Sequence, residues 1–230
     1  MIVYGRNPVR EALRGRRTVK RVWATRNAAQ EDWLSGVDVQ LVDDGELERL
    51  CGSPDHQGIC AETTAFEYAD ESSLLAAEDA LVICLDQIQD PRNLGAICRV
   101  AESAGAAGVV IPERRSAEVT AVVAKASAGA VEHLAVARVR NIADWLGEAK
   151  EAGAWVYGAS ADGIPYAQPD YSGRVVLVLG SEGRGLRPRV ADACDELVAL
   201  PMRGRVESLN VSAAAAALVY GVLQFRSHRG

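Results

Sequence analysis

Residues 175–225 read VVLVLGSEGRGLRPRVADACDELVALPMRGRVESLNVSAAAAALVYGVLQF, and this stretch decides the fold. Val175 to Leu179 is an apolar run of strand length, fitting a strand buried on both faces. It stops at Gly180, Gly183 and Gly185, a turn where backbone must approach something closely. The pattern then repeats. Leu197 to Leu200 fit a second strand, Pro201 stops it, and a loop with Gly204 follows. A long helix is expected from Ser208, placed as its N-cap with Asn210 in the first turn. Two strand ends thus deliver two loops, Ser181 and Glu182 on one, Ser208 and Asn210 on the other. Ligands of α/β folds sit outside the carboxyl ends of strands, so the two loops are expected to form one pocket.

Upstream of this stretch the alternation persists. Leu81 to Leu85 reads as a buried strand, followed by a helix from about Asn93 to Ala104 and a strand from Gly108 to Ile111. A helix near Val119 to Ala126, a strand near Leu134 to Ala137, a helix from Ile142 to Ala152 and a strand from Trp155 to Ala159 continue it. Strands alternating with helices predict an α/β fold with a mostly parallel sheet covered on both faces. Residues 1–67 form a smaller α/β unit. Its first helix is expected to be capped by Asn7, to carry Pro8 in its first turn and to end at Gly15. A helix over AAQEDWLSG and another capped by Asp44 are expected within it, and Gly58 marks a close backbone approach. Residues 68–79, polar and acidic, are the expected linker, and 80–230 the second domain.

The 230 residues carry a formal net charge of −6, which argues against indiscriminate nucleic-acid binding. The distribution says more. Residues 1–26 hold eight basic side chains against Glu11 alone, whereas 27–80 hold Arg49 against fourteen acids. A basic face on an acidic protein suggests a local polyanion site, with Arg6, Arg10, Arg14 and Arg17 as candidate RNA contacts; the plain alternative is a solvated arginine-rich surface. The five cysteines form no CxxC and fit free thiols in a reducing cytoplasm. With three histidines and no HxxxH, no metal site is expected. The start does not read as a secretory signal. The helix from Ser208 carries Asn210, Ser212 and Gln224, so it reads as buried rather than membrane-spanning.

Taken singly, the motifs are weak. Asn93 in DPRNLGAICR could be a helix cap and Arg99 a surface arginine, six positions apart and off a common helical face. GSEGRG resembles a dinucleotide fingerprint only superficially, because it comes late and lacks the downstream acid. The alanine run after Asn210 can be core packing.

Together, NLGAICR, LGSEGRG and LPMRGRVESLNVSAAAA, in this order and spacing, resemble the SpoU family of RNA ribose 2′-O-methyltransferases, part of the knotted class of S-adenosylmethionine enzymes. The resemblance covers 81–230. GRNPVREAL and HQGICAE look like the small substrate-binding domain of the branch that methylates a guanosine of 23S ribosomal RNA. It implies a trefoil knot, a homodimer, S-adenosyl-L-methionine as cofactor and RNA as partner. The polar site would comprise Asn93, Arg99, Glu182, Ser208 and Asn210, and the cofactor would lie against Leu179, Gly180, Ser181, Leu200, Met202 and Leu209. Two alternatives within the family are a transfer-RNA 2′-O-methyltransferase and an antibiotic-resistance ribosomal methyltransferase. A non-catalytic RNA-binding, ribosome-assembly protein is the alternative of another class.

Overall fold

A computed structural model describes residues 1–205 and 208–228; Val206 and Glu207, within the third motif, lie outside the described residues. The chain forms two sheets. The first contains β1 (Ile2–Tyr4), β2 (Val19–Ala24), β3 (Val39–Leu41) and β4 (Ile59–Thr63) in the order β1-β4-β2-β3. Its helices are α1 (Arg6–Arg14) and α2 (Asp44–Cys51). The second sheet contains β5 (Leu81–Asp86), β6 (Gly108–Pro112), β7 (Val136–Val139), β8 (Trp155–Pro165), β9 (Val175–Gly180) and β10 (Glu196–Ala199). Its order is β10-β8-β9-β5-β6-β7, with every pairing parallel. The crossovers carry α3 (Pro91–Ser103), α4 (Ala121–Ala126), α5 (Ile142–Glu151) and α6 (Pro188–Ala193), and α7 (Val211–Ser227) closes the chain.

The all-apolar strands follow from burial on both faces. Alternate residues of β5 enter opposite clusters: Leu81, Ile83 and Leu85 join Ile97 and Leu218 on one side, Val82 and Cys84 join Trp145 and Leu146 on the other. The first cluster runs on without a break into the small domain through Val3, Val9, Ala12 and Ile59. The two sheets therefore share one core.

Several boundaries differ from the sequence expectations. The first helix starts at Arg6 after Gly5, whose φ of 96° makes the sharp entry, so Asn7 is inside it and caps nothing. AAQEDWLSG forms two short 3-10 turns rather than a helix. Asp43, not Asp44, caps α2 by accepting from the Glu46 amide. Residues 68–79 are packed rather than free. Tyr68 Oη accepts from the Val119 amide at 3.0 Å, Ala69 bridges to Ala137, and Leu74 and Leu75 are buried in the core.

Arg17 ties the first sheet to the second. Its guanidinium pairs with both Glu132 carboxylate oxygens and donates to Thr63 Oγ1 at 3.0 Å, with the Glu132 side chain fully buried. Nearby, Glu11 Oε2 lies 2.9 Å from His133 Nε2. Partial burial raises the Glu11 pKa, but the hydrogen bonds from His133 and Arg10 outweigh this and hold its carboxyl below the usual range.

Candidate active site

β5 leads on to β6 on one side and β9 leads on to β10 on the other, so the connections leaving these two neighbouring strands run in opposite directions along the sheet. Such a switch point opens a crevice at the carboxyl ends of the strands. A cleft of about 290 Å³ lies there, bounded by Gln87, Asp90, Asn93, Ser181, Glu182 and Arg184.

The turn after β9 is tightly folded. The Gly185 amide donates to the Ser181 carbonyl at 2.9 Å. A Cβ on Gly180 would stand 2.1 Å from the Gly185 carbonyl carbon, so no other residue fits there. Gly185 itself takes φ 64°, which glycine adopts without steric penalty. The far end of the turn is clamped to the end of β5. Asp86, whose side chain is fully buried, accepts from the Arg187 amide at 2.9 Å, from Nε at 2.8 Å and from Nη2 at 2.7 Å. No sequence pattern joins this pair. An acid ending an otherwise apolar strand was the available signal, but its partner lies 101 residues away.

Three predicted residues meet in a hydrogen-bonded triangle. Asn93 Nδ2 donates to Glu182 Oε1 at 2.9 Å, and Asn210 Nδ2 donates to the same oxygen at 2.8 Å and to Asn93 Oδ1 at 3.0 Å. The Val211 amide reaches Glu182 Oε1 at 3.4 Å. All of these contacts use Oε1; Oε2 has no hydrogen bond among the described residues. The local causes are helix starts. Asp90 caps α3 by accepting from the Arg92 amide, which puts Asn93 in the first turn rather than at the cap. Asn210, not Ser208, caps α7, its Oδ1 accepting from the Ser212 amide at 2.9 Å and the Ser212 hydroxyl at 2.5 Å.

Arg99 and Ser208 stay outside the triangle. Six residues along α3 displace Arg99 about 9 Å from Asn93 and about a third of a turn around the axis. Both Arg99 and Ser208 are exposed, and neither has a hydrogen bond or ion pair among the described residues. Of the expected cofactor contacts, Leu179 presents no side chain, because it is buried in the core. Ser181 and Leu200 are half-buried, while Met202 and Leu209 expose 41 % and 45 % of their surface.

The basic opening is divided. Arg6 pairs with Glu31, and Arg10 and Arg14 lean on Glu11; Arg6 and Arg14 are exposed and Arg10 is half-buried. Arg17 is turned inward onto Glu132 and is not available to RNA, a correction to its expected role. Among the described residues no cluster of three or more His, Cys, Asp or Glu could hold a metal ion, and no helix is long and apolar enough to cross a membrane.

Two family descriptions match the chain. The SpoU rRNA Methylase family matches residues 80–220, and the RNA 2′-O ribose methyltransferase substrate-binding family matches 2–69. A putative TrmH family tRNA/rRNA methyltransferase, YacO, of Bacillus subtilis is 40% identical, covering 99% of this chain and 97% of its own. Among solved structures, a putative RNA methyltransferase of the TrmH family from Porphyromonas gingivalis is 29% identical with TM-score 0.78, covering 96% of this chain and 88% of its own. An AdoMet-bound rRNA methyltransferase from Sinorhizobium meliloti is 25% identical with TM-score 0.82, covering 97% and 86%.

Proposed function

The chain belongs to the SpoU rRNA Methylase family and is an S-adenosylmethionine-dependent RNA methyltransferase; from that premise we propose that it methylates a ribose 2′-hydroxyl, that of a guanosine in 23S ribosomal RNA. The observation that carries the site assignment is the Asn93–Glu182–Asn210 triangle at the mouth of the switch-point cleft. A transfer-RNA substrate is the second reading, favoured by relatives whose names include both RNA classes.

The residues present suit the cofactor. Met202 and Leu209, in the loop before α7, bare apolar surface of the kind that suits an adenosine ring. Gly180 leaves the strand end without a side chain, and the Glu182 carboxylate suits a cationic sulfonium group. When bound, S-adenosylmethionine supplies the methyl group that the ribose oxygen takes up.

Each side chain then has a distinct task. Asn93 and Asn210 fix Glu182 through Oε1, leaving Oε2 to accept the 2′-hydroxyl proton or to orient that hydroxyl. A guanidinium keeps its proton across the neutral range, so Arg99 works as a fixed charge that holds a neighbouring phosphate and stabilises developing negative charge on the ribose oxygen. Ser208 positions the ribose. Residues 1–67 bind RNA, with Arg6, Arg10 and Arg14 contacting phosphates.

The protein works as a homodimer. Ile97 on α3 is fully buried within the protomer and is not available to a second copy. Tyr220 on α7, half exposed, is apolar surface that a second copy would cover. Light scattering at micromolar concentration should give twice the chain mass, and a stable monomer would refute the dimer. For the reaction, 2′-O-methyl sites are mapped in ribosomal and transfer RNA from cells lacking the protein. Loss of one 23S guanosine methylation is expected. Loss in transfer RNA instead would establish the second reading, and an unchanged map would overturn both.

A further inference from the structure

A second cavity, of about 480 Å³, lies at the carboxyl ends of β6 and β7 and is lined by Glu113, Arg114, Arg140, Asn141 and Asp144. It belongs to the same edge of the sheet as the active-site cleft. Adjacent strands are about 4.8 Å apart, so its centre falls roughly 7–10 Å along the edge from the end of β5. That is within reach of the same RNA segment. Nothing in the methyl-transfer site uses these residues.

Two arginines and two carboxylates face this cavity, yet none of the four side chains forms an ion pair or hydrogen bond among the described residues. Opposite charges around one small space would ordinarily neutralise each other. Their hydrogen-bonding capacity is instead left open. The neighbouring Arg138 is committed elsewhere: it pairs with Glu118, donates to the Glu113 carbonyl and lies over the Tyr68 ring. Asn141 spends its Oδ1 on capping α5 through the Ala143 amide, and its side-chain N–H₂ has no hydrogen bond among the described residues.

The mixture of signs selects the ligand. A phosphate offers only acceptors, so Glu113 and Asp144 would repel it as Arg114 and Arg140 attracted it. A nucleobase edge offers both kinds of group. Guanine fits this set best: a carboxylate can accept from N1–H and the N2 amine, while arginine donates to O6 and N7. An arginine plane can also stack on an unpaired base. The volume is in the range of pockets that enclose a small ligand. We propose that this cavity binds an unpaired guanine of the RNA substrate, and that it contributes to choosing which RNA is methylated. This rests on the RNA-methyltransferase reading above.

The test is calorimetric titration of the full chain with GMP, IMP, CMP and inorganic phosphate. GMP should bind best. IMP, which lacks the N2 amine, should bind about tenfold more weakly, the worth of one good base hydrogen bond. Arg140→Gln should weaken GMP binding by a similar factor. Asp144→Asn combined with Glu113→Gln should erase the preference for GMP over IMP. These exposed neutral replacements should leave the thermal midpoint and S-adenosylmethionine affinity unchanged. No GMP binding at millimolar concentration, equal binding of all three nucleotides, or displacement of GMP by inorganic phosphate would overturn the proposal. So would variants that keep the wild-type preference. A protein that binds GMP as described but does not bind S-adenosylmethionine would instead remove the proposed function and leave the base pocket standing.

Discussion

Glu182 divides its two oxygens between structure and chemistry. Oε1 collects the Asn93, Asn210 and Val211 donors, and Oε2 has no partner among the described residues. Glu182→Gln can keep an oxygen at the first position while replacing the second by an amide nitrogen. Folding should therefore persist and cofactor affinity fall modestly as the charge facing the sulfonium is lost, while methyl transfer falls about 10²-fold or more, the contribution of a positioned base. Retained turnover in this variant would send the proton to a phosphate or to water. Arg99→Lys should keep cofactor affinity and lose most activity, because lysine preserves the charge without the planar fork. Near-normal turnover would take Arg99 out of the mechanism.

At the scale of elements, the junction between the two sheets depends on a buried ion pair. Arg17 follows the end of α1 and reaches Glu132 in the turn after α4, and neither side chain is appreciably exposed. Arg17→Ala strands a buried carboxylate and should cost about 3–5 kcal/mol in chemical denaturation. Adding Glu132→Gln should recover part of that stability, because the uncompensated charge is removed. If the double variant is no more stable than Arg17→Ala, the cost lies in the packing of Arg17 around Thr63 and Phe66. The same interactions limit truncation. Removing residues 1–75 would take away Tyr68, Leu74 and Leu75, which pack on the larger domain, besides exposing Glu132.

For the whole molecule, the question is where RNA is held against a net charge of −6. Arg10 and Arg14 share Glu11, so part of the basic charge of the opening segment is neutralised in the free protein. Reversing both to glutamate should weaken RNA binding. It should also lower the log–log salt slope by roughly 0.7–0.9 for each phosphate no longer neutralised. Filter binding across a salt series measures both quantities. An unchanged slope would place RNA recognition on the larger domain alone.

Pattern and local chemistry determined much of this protein from the sequence. Apolar runs of strand length, glycine punctuation and intervening helices suffice for a parallel α/β sheet, because both-face burial demands continuous apolar strands. Asn93, Glu182 and Asn210 stood out by motif, and all three meet in the triangle. The tertiary structure alone decided the rest. Whether Ser208 or Asn210 caps α7 depends on where the loop releases the helix, which both residue types permit. Arg17 read as a surface charge because its partner lies 115 residues away, and Asp86 is invisible as a clamp for the same reason. Residues 68–79 have the composition of a linker but contribute Leu74 and Leu75 to a core formed mainly by later strands and helices. Local patterns report which segments form strands and helices; which charges are buried together follows only from how those segments pack.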